Sequence, residues 1–308
     1  MIRVGVVSLG APHHGNIFAN NMNKVMKHYK FEHVAPSREY GWAHINPREL
    51  DVLWFYGFHG LPDQLISKFK EDNPKLKVIV TWVGSDILEF GQFSRYRPGC
   101  AQCIIKNVDI HVADGQNLVR EMDQFFGIKP IYIPSIPDTP LELTPLPEKF
   151  AVAVYCPGFR ADFFNYPLIR NVAEKLPEVP FNLFGGGPVG LPNAELDGDK
   201  VVPNLLYLGW VEGEVKKKWW KESSVLLYMP KHGSLGVTGV EFLQMGRYVI
   251  CSQEYPFVIE CKTEEDLLSA LTGLKDVKEP HVEASKYYLA EFSVEKQGEK
   301  VGEILDKI

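Results

Sequence analysis

No apolar run in this 308-residue sequence approaches the ~20 residues that a membrane-spanning helix requires. An excess of basic residues is missing too: 33 Lys and Arg stand against 39 Asp and Glu, a net charge of −6. Non-specific nucleic-acid binding depends on Lys and Arg neutralising phosphates, so no nucleic-acid partner is expected. Cysteine is scarce. Five scattered cysteines, an odd number in a chain this large, make no disulfide framework and read as reduced thiols in a cytoplasmic protein. The opening "MIRVGVVSLGAPHHGN" has one positive charge and a short apolar run, then histidines and a glycine, which reads as a first strand and turn and not as a secretory leader. Internal repeats and low-complexity tracts are absent as well. What is there is an ordinary globular composition, 45% hydrophobic and 23% charged, in a length that suits two domains of ~150 residues.

Apolar, β-branched runs alternate with amphipathic segments from end to end. In the first half "IRVGVVS", "DVLWFYG", "KVIVTW", "DIHVAD" and "IYIPS" read as strands buried on both faces, as in a parallel sheet. Phe18, Met22, Val25, Met26 and Tyr29 recur at helical spacing and predict a helix over 16–29; Leu65, Ile66 and Phe69 mark another. Residues 134–150 hold five prolines and neither period, a stiff linker. The pattern then restarts with "FAVAVYC", "FNLFGGG", "LLYLG", "SVLLYMP", "YVICS" and "FVIE". Two βα-repeating halves predict an α/β protein of two doubly wound, Rossmann-like domains facing a cleft, over 1–140 and 141–285, with a closing helix in 286–308 crossing back to the first. Ligands are expected at the carboxyl ends of the strands, facing that cleft.

Three glycine turns fall at such ends: "SLGAPHHGN" with Gly10 and Gly15, "FGGGP" with Gly186 and Gly187, and "HGSLGVTGVE". The first lacks the G-x-G-x-x-G spacing and the acid that NAD binding requires. Backbone N–H groups at a helix start bind anions, and glycine lets a phosphate approach. In the third turn a diphosphate on Ser234, Leu235, Gly236, Val237 and Thr238 would place its ribose near Glu241, one turn into the helix. An ionised carboxylate accepts from both ribose hydroxyls. Complementing the helix dipole is the simpler role for the same acid.

The order of these motifs resembles the retaining nucleotide-sugar glycosyltransferases of GT-B fold, the glycogen-synthase and sucrose-synthase-like superfamily (glycosyl transferases group 1, family 4-like). Its G-x-G-P, "n-V-x-F-L-G-x-V", "P-S" and E-G-F-G…E-A-M-A-x-G-x-P-V-I are matched in order by "FGGGP", "NLLYLGWV", "SVLLYMP" and "GSLGVTGVEFLQMGRYVICS". "VTWVGSDIL" resembles its T-x-H-G-S-D, and the likeness spans nearly the whole chain. Two departures stand out. The first acid of the family's E-x7-E is Gly233 here, and its first-domain histidine is Val83. Of its basic pair for the diphosphate, Arg160 in "PGFRADF", beside Gly158, is the equivalent.

The resemblance implies a metal-independent transferase with no cofactor beyond its nucleotide-sugar donor. The acceptor would be a glycan, lipid-linked or small molecule. His14 and Lys231, with His13, are further candidates to stabilise the leaving diphosphate; His59 is a candidate for the acceptor side. A relative that epimerises or hydrolyses nucleotide sugars, or a silent binding protein, is the alternative. "CAQC" (Cys100, Cys103) lacks two more zinc ligands and reads as structural thiols, and "DGD" (Asp197, Asp199) reads as a turn. "KKKWWK" reads as a solvated lysine face with tryptophans packed inward, a peripheral membrane contact being the alternative; "NKVMKHYK" shares the ambiguity.

Overall fold

The computed structural model describes residues 1–8, 12–34, 45–57, 65–96, 98–185 and 202–308. They divide into two compact units, Met1–Asp138 with Phe292–Ile308, and Thr139–Glu291.

The first unit is a parallel six-stranded sheet of order β2-β1-β3-β4-β5-β6, formed by β1 (Ile2–Ser8), β2 (Tyr29–His33), β3 (Val52–Tyr56), β4 (Lys77–Trp82), β5 (Ile110–Ala113) and β6 (Ile131–Tyr132). Its helices include α1 (Pro12–Val25), α2 (Leu65–Asp72), α3 (Ser85–Tyr96), α4 (Pro98–Asn107) and α5 (Gln116–Phe126). The near-continuous apolar runs are explained by burial on both faces. Along β3, Leu53 and Phe55 enter one core with Ile66, Phe69 and Phe90, while Val52, Trp54 and Tyr56 enter the other with Phe18 and Met22. The chain's final helix, Val294–Leu305, closes the second core with Val301 and Ile304. It lies so near α1 that a Cβ on Gly298 would stand 2.6 Å from Val25 Cγ2.

One sequence expectation is corrected. The first helix ends at Val25, and Tyr29–His33 is an edge strand paired with β1 from Ile2↔Tyr29 to Val6↔His33. In "YKFEH" Phe31 is the one buried residue, and Lys30 and Glu32 pair with each other at the solvent edge. A single inward side chain gives an edge strand almost no apolar signal. Tyr29 packs into the same core as Val25 and Met26, and so counterfeits one more helical turn.

The second unit repeats the architecture with order β12-β11-β10-β7-β8-β9: β7 (Val152–Tyr155), β8 (Phe181–Phe184), β9 (Leu205–Gly209), β10 (Val225–Tyr228), β11 (Tyr248–Cys251) and β12 (Ile259–Glu260), all parallel. Among the described residues its helices are α6 (Tyr166–Lys175), α7 (Gly213–Lys221), α8 (Gly236–Gln244), α9 (Glu264–Leu274) and α10 (Val282–Glu291). The strand order reverses between β7 and β10, and the carboxyl ends there are the ligand position of an open α/β sheet. The same reversal stands between β1 and β3 in the first unit.

Residues 134–150 contain no helix or strand. From Thr139 on they belong to the second unit, fastened there by the fully buried Arg247. Its guanidinium donates to the Thr144 carbonyl at 2.8 Å and hydroxyl at 2.9 Å, to the carbonyls of Trp220 and Lys221 at the end of α7, and to that of Met245 just past α8. One cation thus adds hydrogen bonds to carbonyls at two helix ends, where positive charge is favoured. Burial lowers its pKa to about 10, so it stays charged at neutral pH. Among the described residues, no helix is long and apolar enough to cross a membrane.

Arg247→Met removes every hydrogen bond of the buried guanidinium at once and is expected to cost the second unit roughly 3 kcal/mol, read by hydrogen exchange at the α7 and α8 amides; unchanged protection would show the guanidinium to be dispensable. In the first unit His111 Nδ1 accepts from Trp82 Nε1 at 3.2 Å, and burial pushes the imidazole down to about 4. The unfolded ring titrates near ~6.5, so the folded form resists protonation, and this contribution is complete above that pH and lost as the pH falls towards 4. The stability difference between wild type and His111→Gln, measured by urea unfolding, is expected to shrink by roughly 2 kcal/mol between about pH 7.5 and about pH 5. A pH-independent difference would contradict it.

Candidate functional site

At the β7/β10 reversal two loops run side by side. The turn after β7 carries Gly158 and Arg160 in a short 3-10 helix, and the turn after β10 carries Lys231 to Leu235 and opens α8. They are stitched by Lys231 N donating to Phe163 O at 2.8 Å and by Asn165 Nδ2 donating to Met229 O at 2.9 Å. Arg160 is half-buried, with its guanidinium 4.1 Å from the Phe163 ring centre; Lys231 is exposed. Two sequence-predicted cations thus stand on adjoining turns at one end of one sheet.

The start of α8 is the feature of this end whose geometry suits an anion. No side chain caps it, so the first N–H groups of the helix keep their partial positive charge. Ser234 and Leu235 are buried, and Gly236, Val237 and Thr238 are half-buried. Gly236 sits at φ +69°, where a Cβ would also stand 3.1 Å from the Tyr228 hydroxyl, so glycine is favoured on both counts. Gly185, at φ +141°, would drive a Cβ to 2.8 Å from Pro157 N, which brings the turn after β8 hard against the turn after β7. Gly233 is at φ +135°, with open space where its Cβ would be. An L-residue is therefore disfavoured by its backbone and not by crowding, at the position where the resemblance expects an acid.

Glu241 is buried within α8, and its carboxylate is gripped from α7. Lys216 Nζ lies 2.6 Å from Oε1, and Trp220 Nε1 donates to Oε2 at 2.9 Å. Trp220 is itself fixed between Phe184 and Phe242, at 4.5 and 5.2 Å between ring centres. Sequence reasoning missed this grip. It placed the tryptophans inward and the lysines in water, which holds for Trp220 and for the exposed Lys217 and Lys218, paired with Glu214 and Glu222. The signal was the i,i+4 spacing of Lys216 and Trp220, which puts both on the helix face that meets α8.

In the first unit His14 is half-buried in the first turn of α1. Gly15 has a packing reason: a Cβ there would stand 1.9 Å from Ser8 Oγ, which itself lies 3.2 Å from His33 Nε2. Val83, in place of the family histidine, has its N–H held by the buried Asp86 carboxylate at 3.0 Å. Gly10, His59, Gly186, Gly187, Asp197 and Asp199 lie outside the described residues, as do the side chains of His13, Cys100 and Cys103. Burial pushes the Cys156 and Cys251 thiols up to about 12 and Cys261 up to about 11, which leaves all three without thiolate character at neutral pH. Among the described residues no group of three or more His, Cys, Asp or Glu is placed to hold a metal ion.

Neither a protein-family model nor a curated protein matches the sequence. Solved structures match the fold. Sucrose-phosphate synthase from Thermosynechococcus elongatus is similar over 100% of this chain and 99% of its own, with a TM-score of 0.70 and 10% identity. UDP-GlcNAc 2-epimerase from Neisseria meningitidis, solved bound to UDP-GlcNAc, covers both chains fully, with a TM-score of 0.55 and 11% identity. TarM matches over 82% of this chain at a TM-score of 0.58 and 13% identity, but over only 54% of its own, so the chain spans about half the length of TarM. Two parallel six-stranded sheets with flanking helices, each reversing strand order at its first strand, together with these likenesses identify the chain as an α/β protein of the GT-B fold, the fold of the glycosyltransferases it resembles.

Proposed function

We propose that the chain binds a nucleotide diphosphate sugar at the β7/β10 reversal and transfers the sugar, a hexose, to an acceptor with retention of configuration. The observation that carries this is the uncapped start of α8 behind Gly236, with Arg160 and Lys231 on the adjoining turns and the Glu241 carboxylate one turn further in. The α8 N–H groups, from Gly236 to Thr238, would take the diphosphate and Glu241 the ribose. As the glycosidic bond breaks, negative charge grows on the leaving diphosphate. Fixed N–H dipoles and a cation at that point stabilise it without a metal, and the rest of the barrier falls through positioning. The acceptor would be a glycan, a lipid-linked molecule or a small molecule, and the setting cytoplasmic.

A second reading is favoured by one observation: the full-length likeness to an epimerase, taken with a backbone at Gly233 that disfavours the family's sugar-facing acid. Release of free nucleoside diphosphate that depends on an added acceptor supports transfer; acceptor-independent release supports hydrolysis, and a changed sugar without release supports epimerisation.

Thermal unfolding against UDP-, GDP-, ADP- and dTDP-sugars tests the donor site. A ligand at ~100 times its Kd is expected to stabilise wild type by about 2.7 kcal/mol. Glu241→Gln should reduce that shift by roughly 1.5 kcal/mol or more, the worth of a hydrogen bond to a charged group. No shift with any of them would remove the donor site. Arg160→Ala, assayed for nucleoside diphosphate release, is expected to lower kcat by about a hundredfold with a smaller change in KM, as loss of a transition-state donor does. An effect confined to KM would instead make Arg160 a ground-state contact.

A further inference from the structure

Glu241 is a carboxylate already in use. An ionised carboxylate has about four lone-pair sites on its two oxygens, and among the described residues Lys216 and Trp220 take one each. The two that remain suit a cis-diol, yet the Glu241 side chain is only 6% exposed, while that of Lys216 is 31% exposed. Of its two holders, then, only Lys216 reaches solvent, Trp220 being buried. The holders also differ in freedom. Trp220 is locked between Phe184 and Phe242 and cannot withdraw its indole N–H from Oε2 without opening the core. Lys216 ends a flexible four-carbon stem and can leave Oε1 by rotating its own bonds.

We infer that Lys216 is a positioning residue that occupies the ribose acceptor of the free protein. Its ammonium holds on Glu241 the place of a ribose hydroxyl, and an incoming nucleotide takes that place by displacing it. Trp220 keeps the carboxylate aimed throughout. The exchange tempers discrimination. A ligand offering both ribose hydroxyls gains both hydrogen bonds to the carboxylate but must first displace Lys216, whereas a 2′-deoxy ligand leaves Lys216 in place and gives up nothing to it. Lys216 therefore sets how strongly the site distinguishes ribonucleotides from deoxyribonucleotides. The inference rests on nucleotide binding at α8, as proposed above.

The test is calorimetric titration of UDP, GDP and ADP, each against its 2′-deoxy form, on wild type, Lys216→Met and Lys216→Arg. For whichever diphosphate binds, the preference for ribose over deoxyribose is expected to rise about two- to fivefold in Lys216→Met, where nothing has to be displaced from Oε1. It should fall below wild type in Lys216→Arg, whose planar fork can hold both oxygens. A purely structural lysine would lower the melting temperature of Lys216→Met and leave the preference of both variants at the wild-type value; that result overturns the inference and leaves nucleotide binding standing. If Lys216→Met does not fold, Lys216→Arg decides alone, a preference equal to wild type overturning the inference. Absence of binding by all three diphosphates to wild type removes the inference, which requires a ribonucleotide ligand.

Discussion

Two full charges are buried on either side of one tryptophan, and the second unit is arranged around that fact. The indole N–H of Trp220 donates to Glu241, while its own carbonyl accepts from Arg247. Taking a carboxylate or a guanidinium out of water costs several kcal/mol unless its hydrogen-bonding sites are filled in good geometry. Neither charge faces the other. The acid is answered by Lys216 and an indole, the base by carbonyls and one threonine hydroxyl. Each arrangement is satisfied only with α7 and α8 in one relative position, so two costly groups fix the helix whose first N–H groups are the proposed anion site.

That position explains how little else the site requires. A phosphate at α8 would be met by backbone, and backbone direction is decided by the glycines that let the chain turn. Gly236 and Gly185 both stand at positive φ, and a side chain would press on a tyrosine hydroxyl at one and on a proline nitrogen at the other. Charged side chains add two cations from neighbouring turns, held together by main-chain and asparagine hydrogen bonds. A site built mostly of N–H groups leaves few residues whose type announces it, and its signature is the order of its turns along the chain.

This decides what could be read beforehand. Strands buried on both faces, such as "VLWFY" and "VLLY", declare themselves by composition, and a parallel α/β arrangement follows from their alternation with helices. Edge strand β2 did not declare itself, because one inward phenylalanine is no pattern and Tyr29 falls where a helix would also place it. The turn before α8 and the singular acid inside it were legible, since glycine and buried charge are both unusual where they stand. The partners of that acid were not. Lys216 lies among lysines that face water, and only the register of α7 against α8 separates it from them.

Gly233 shows how a turn can shut out a side chain without crowding it. The room for a side chain there is open, so nothing about packing forbids an acid, yet the φ of +135° is one that L-residues rarely adopt. A carboxylate introduced at that position would first have to move the main chain, so a one-residue exchange there changes the path of the loop before it changes its charge.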